Sequence, residues 1–113
     1  MADTMAERRD SPRYPLTLVA EVFEPLNSTA QLVARSSEVS RSGCYIDTMT
    51  PLPPGTQIKI QLRSGDEVFD TEARVVYMCP GLGMGVHWGA KPGEKQFSIL
   101  DRWLQKAARV EVI

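Results

Sequence analysis

Three arginines, Arg8, Arg9 and Arg13, gather near the start of the chain around the tripeptide Asp10-Ser11-Pro12. Arg9 and Arg13 flank the Ser-Pro pair, and Pro12 pushes Ser11 away from helical backbone angles, so the segment reads as an orderable loop. A guanidinium is planar and permanently charged, and it grips a phosphate or the O6/N7 edge of guanine with two parallel hydrogen bonds. Two such groups on one short loop point to an anionic ligand that carries a purine.

A second set lies about thirty residues further on, in Glu38-Val39-Ser40-Arg41-Ser42-Gly43. Gly43 can take backbone angles closed to other residues, which lets a tight turn bring main-chain N–H groups close to a ligand. Ser40 adds a small donor and acceptor on the same turn. Glu38 can accept the N1–H and N2–H groups of a guanine, the edge opposite the one an arginine holds. The chemistry therefore requires a fold that brings positions near 10 and near 40 into one pocket.

The hydrophobic pattern says which elements must do this. Leu16 to Glu24 alternates with a period of two, placing Leu16, Leu18, Ala20 and Val22 on one face of a first strand. Pro25 to Thr29 carries turn residues, and a second strand runs from about Gln31 to Val39. Ser40 to Gly43 reads as the turn into a short third strand at Cys44–Asp47. Ile58, Ile60 and Leu62 mark a half-buried fourth strand, and Ser64-Gly65-Asp66 is hairpin chemistry. In the long fifth strand, Val68 to Met78, the pattern sets Ala73, Val75 and Tyr77 on one face against Val76 and Met78, with a bulge expected at Asp70–Glu72. Gly83 to Trp88 supplies a sixth strand.

After Lys91-Pro92-Gly93 the period lengthens. Phe97, Leu100, Leu104 and Ala107 form one stripe with Trp103 beside it, while Asp101, Arg102 and Lys106 face outward, as in an amphipathic helix. Six short strands joined mostly by tight turns predict an all-β domain, a six-stranded antiparallel β-barrel with a C-terminal helix, since closure removes exposed edges. A flat β-sandwich is the competing architecture.

Composition excludes several classes. The 113 residues fit one domain, and 13 basic against 14 acidic side chains leave no overall field for duplex binding. Clustered aromatics of the kind that read single strands are missing as well, so no nucleic-acid partner is expected. Cys44 and Cys79 are too few for a disulfide framework or a zinc site and read as small buried apolar groups. No apolar run reaches the length of a bilayer or a secretion signal, so a cytoplasmic protein without membrane insertion is expected. His87 has no companion ligands, and no nucleophile with a base or phosphate-cradling motif is present, so neither catalysis nor a cofactor is expected. Arg35 and Arg41 read as uninvolved surface cations, and Phe97 and Trp103 as core packing.

The two loops together resemble the PilZ family, bacterial domains that bind the second messenger cyclic diguanylate. The family pattern Arg-x-x-x-Arg is matched by Arg9 and Arg13, and Asp or Asn-x-Ser-x-x-Gly by Ser40 and Gly43. Pro54-Gly55 and Gly83-Met84-Gly85-Val86-His87-Trp88 look like later landmarks, so the likeness runs from Arg8 to the C-terminal helix. Residues 8–113 would then be a single domain of this type behind a flexible tail at 1–7. The resemblance implies a six-stranded barrel of PilZ type, arginines on guanine edges and phosphates, a second loop enclosing one base, and an effector with a downstream protein partner. Arg8 adds a third cation, at a position that in this family bears on whether one nucleotide or a stacked pair is held.

Glu38 departs from the pattern. Where the family accepts Asp or Asn, charge is not the shared requirement, but reach and turn-forming ability are. Glutamate adds a methylene, so either the loop shifts or one guanine contact weakens, and a lost hydrogen bond to a charged group is worth about 1.5–3 kcal/mol. Two functions follow from the sequence: a cyclic diguanylate receptor that transmits binding to a partner, or a nucleotide-independent adaptor of the same fold acting in pilus assembly or motility.

Overall fold

The computed structural model describes residues 12–24 and 30–112. The expected reversal at Pro25–Thr29 and the tail at 1–7 lie outside the described residues. The strands are β1 (Tyr14–Pro15), β2 (Val19–Phe23), β3 (Ala30–Val39), β4 (Gly43–Asp47), β5 (Gln57–Ser64), β6 (Glu67–Cys79) and β7 (Gly83–His87), and the helix α1 spans Glu94–Val112. They form one antiparallel sheet in the order β1-β3-β2-β5-β6-β7-β4, which the pairing of β3 with β4 closes into a barrel. Six strands make the closed wall and β1 is an extra strand laid on the end of β3. The sandwich alternative falls with that closure.

The inward faces follow the period of two. Ala20 and Val22 of β2, Ile58, Ile60 and Leu62 of β5, and Phe69, Ala73 and Val75 of β6 are all buried, each large aliphatic group contributing about 1.5–3 kcal/mol by leaving water. Helix α1 covers one end of this core with Leu100, Trp103 and Leu104, the stripe expected from its spacing. It begins where Gly93 offers its carbonyl to the Phe97 N–H, with Glu94 in the first turn against the positive end of the helix dipole.

Three expectations are corrected. The strand expected from Leu16 begins only at Val19: between β1 and β2 the buried Ser36 side chain takes over, its Oγ accepting from the Leu18 N–H at 3.0 Å and donating to the Leu16 carbonyl at 2.7 Å. The bulge in β6 is not at Asp70–Glu72, which pair in regular register with Gln61, Ile60 and Lys59. It lies between Val75 and Tyr77. The residue inserted there turns Tyr77 outward, so Tyr77 leaves the face it would share with Ala73 and Val75 and stands 44% exposed. Cys44 is buried as expected, but Cys79, at the end of β6, is only partly so.

Candidate functional site

The pairing of β1 with β3 decides the geometry. Tyr14 lies opposite Val39 and Pro15 opposite Glu38, so the residue just before β1, Arg13, is delivered to the start of the Ser40–Gly43 turn. Its Nη1 is 3.6 Å from Glu38 Oε1. Both side chains are more than half or about half exposed, so this ion pair is weak and easily exchanged for another anion. Arg13, Glu38, Ser40 and Gly43 line one cleft of about 290 Å³. Arg8 and Arg9 lie outside the described residues.

The turn at the base of the cleft is held by its own serine. Ser40 Oγ accepts from the N–H of Ser42 at 3.2 Å and of Gly43 at 3.1 Å, and can donate to the Gly43 carbonyl at 3.1 Å, while Ser40 N–H donates to the same carbonyl at 2.8 Å. The hydroxyl and both amides are thus engaged in shaping the loop. Gly43 is needed for a reason other than the one expected from sequence. It is not among the glycines with positive φ; instead, β7 passes so close that a Cβ here would run into the Val86 carbonyl oxygen.

The opposite wall is aromatic, and the sequence pattern did not reveal it. Across the sheet Tyr45 pairs with Gly85, and Gly85 pairs with Tyr77. The Tyr77 ring lies over Gly85 and the Tyr45 ring over Gly83, with no β7 side chain in either place, and their centroids are 6.1 Å apart. Both line the cleft, together with His87. Desolvation, followed by a hydrogen bond and charge interaction with Cys79, pushes the Tyr45 phenol up to about 12, so it remains a neutral donor. Burial pushes the Cys44 thiol up to about 12, which makes it a poor nucleophile. The alternation of Val75 and Tyr77 hid this wall; only the bulge exposes it.

Cationic, hydrogen-bonding and aromatic groups therefore line one shallow cleft, a combination suited to holding a flat anionic molecule. Among the described residues no group of three or more metal-ligating side chains occurs, and no helix is long and apolar enough to cross a membrane.

The barrel closed by the β3–β4 pairing and followed by a terminal helix, with a cleft between the chain entering β1 and the turn after β3, defines a small β-barrel domain. The model of the PilZ domain matches residues 7–106, and the chain belongs to that family. The fold is similar to the structure of the Bacillus subtilis inhibitor of motility MotI/DgrA, with a TM-score of 0.71 and 15% identity over 90% of this chain and 52% of that one. The chain therefore spans about half the length of that relative. It is also similar to the PilZ domain of CeSA from a cellulose synthesizing bacterium, with a TM-score of 0.63 and 19% identity over 89% of this chain and 99% of that one. At these identities the likeness is one of fold. None of the curated proteins matches the sequence.

Proposed function

We propose that the chain is a receptor for cyclic diguanylate, a binding module rather than an enzyme, which holds the dinucleotide in this cleft and passes binding on to a protein partner. The observation that carries the reading is the approach of Arg13 to Glu38 at the mouth of a cleft floored by the Ser40–Gly43 turn. In this reading Arg9 and Arg13 take the phosphates and the O6/N7 edge of guanine, Arg8 adds a third cation, and Glu38 takes the N1–H and N2–H edge. Ser40 and Gly43 shape the floor. Tyr45 and Tyr77 offer a face on which a purine stacks. The binding unit is residues 8–113, it acts in the cytoplasm, and it needs neither cofactor nor metal. The inhibition of motility named for one relative and the cellulose-synthesizing source of the other suggest the kinds of process such a partner serves.

One observation favours the nucleotide-independent adaptor. Glu38 already neutralises Arg13 and sets a negative charge where the dianionic ligand must enter. Titration calorimetry with cyclic diguanylate separates the two: saturable heat in the native protein, lost in the Arg9→Ala, Arg13→Ala double variant, supports the receptor. No heat at high ligand concentration removes it in favour of the adaptor.

A further inference from the structure

One side chain of the turn takes no part in the cleft. Arg41 sits between Ser40 and Ser42, yet it is not among the residues that line the pocket. Its guanidinium carbon lies 4.3 Å from the centre of the Phe97 ring, and its Nε donates to Asp101 Oδ1 at 3.1 Å. Both partners belong to α1. The Arg41 carbonyl accepts from Trp88 Nε1 at 2.8 Å, and the Ser42 carbonyl accepts from the Trp88 and Gly89 amides at 2.9 and 3.1 Å. The turn is therefore pinned on one side by the chain leaving β7 and on the other by the first two turns of the helix.

We infer that Arg41 is the positioning residue of the cleft, and that Asp101 and Phe97, on a different element and outside the pocket lining, help set how well the turn binds. The inference rests on the proposed reading of the cleft as a dinucleotide site. A short turn that carries its own hydrogen bonds still has competing conformations, and affinity falls in proportion to the fraction of molecules in the competent one. The Arg41 side chain narrows that ensemble by two contacts with different geometric demands. The cation–π contact holds the guanidinium over the Phe97 ring, and the bond from Nε to Asp101 sets the direction in which the guanidinium points. A lysine satisfies the charge but not both contacts at once, because its ammonium is a point donor.

The test uses Arg41→Ala, Arg41→Lys, Asp101→Ala and the Arg41→Ala, Asp101→Ala double variant of the full chain. In the ligand-free proteins, hydrogen exchange at the Gly43 and Trp88 amides should quicken about threefold or more in Asp101→Ala, while a β5 amide such as that of Ile60 keeps its rate. In titrations with cyclic diguanylate, Arg41→Ala, which loses both contacts, should weaken binding about three- to tenfold, and Asp101→Ala, which loses only a half-exposed ion pair, about two- to fivefold. The double variant should be no weaker than the worse single, and Arg41→Lys should fall between. Unchanged exchange in Asp101→Ala overturns the inference. So does an affinity equal to the native one in Asp101→Ala and Arg41→Ala while Arg13→Ala loses binding. A native protein that gives no heat at all defeats the receptor reading alone, because the exchange measurement still decides the role of Arg41.

Discussion

The Arg13 guanidinium and the Glu38 carboxylate meet at 3.6 Å across the β1–β3 pairing, so the acid at the end of β3 holds the described arginine on which the proposed receptor reading depends. On that reading an incoming phosphate displaces Glu38 from Arg13. Because the pair is largely solvated, its own worth is below about 1 kcal/mol, and the larger handicap is the reach of the glutamate. Glu38→Asp should therefore tighten cyclic diguanylate binding by about tenfold in calorimetric titration, in line with one recovered hydrogen bond to a charged group. An unchanged or weaker affinity would show that reach does not limit binding.

Gly43→Ala tests the floor of the cleft. The added methyl meets the Val86 carbonyl oxygen, and neither group can move without opening the β4–β7 ladder at the Gly43–His87 pair. A loss of about 2–4 kcal/mol in urea denaturation is expected. Ligand binding should weaken further than the population of unfolded protein explains, since the Ser40–Gly43 hydrogen bonds are disturbed as well. A variant as stable as the native chain would mean that β7 yields more easily than the geometry indicates.

Tyr77→Ala tests the aromatic wall. The side chain is on the outer face and partly exposed, so its removal should change stability by less than about 1 kcal/mol. If a base stacks on it, affinity should fall by about 1–3 kcal/mol, and Tyr77→Phe should restore most of the loss. Equal affinities in all three proteins would place the base elsewhere.

These residues also mark how far the sequence could be read. The spacing of Ile58, Ile60 and Leu62 gave β5 directly, and Phe97, Leu100 and Leu104 gave the inner face of α1, because burial on one side leaves a periodic trace. Of the expected meeting of positions near 10 and near 40, the described residues include Arg13, which the Tyr14–Val39 pairing brings to Glu38, while Arg8 and Arg9 lie outside them. Tyr77 was misplaced because a bulge is one extra residue in a ladder, invisible to a period-two pattern until the partner strand is known. Gly43 was singled out for the wrong reason, since close approach by Val86 depends on a strand more than forty residues away. Arg41 looked like a surface cation because its partners, Phe97 and Asp101, are on the last element of the chain.

The break between β1 and β2 leads to a prediction at Ser36, which a strand pattern would call an ordinary polar interruption. Its hydroxyl substitutes for a main-chain acceptor at Leu18 and reaches the Leu16 carbonyl, inside the barrel wall. Ser36→Ala leaves the buried Leu18 N–H without that acceptor. A destabilisation of about 1–3 kcal/mol in urea denaturation is expected, with Ser36→Thr less damaging because it keeps the oxygen. A neutral Ser36→Ala would mean that water or a shifted backbone replaces the hydroxyl.

Glu67 ties the start of β6 to α1, and its carboxylate should contribute part of the loss of stability in acid. Its Oε2 is 2.7 Å from Arg102 Nη2, and its Oε1 accepts from Trp103 Nε1 at 2.9 Å. The hydrogen bond with Arg102, then that with Trp103, holds its pKa below the usual carboxylate range. A group whose folded pKa is depressed contributes stability that is fully present above its unfolded pKa and is lost as pH falls through the folded one. Stability should therefore be flat near neutrality and decline on acidification, first below the ordinary carboxylate range and then down to the lowered folded value. Glu67→Gln should keep a bond to Trp103 but flatten this part of the decline, read from urea midpoints followed by tryptophan fluorescence across the acid range. An identical acid slope in the native and Glu67→Gln proteins would assign the dependence to other carboxylates and leave Glu67 with a packing role only.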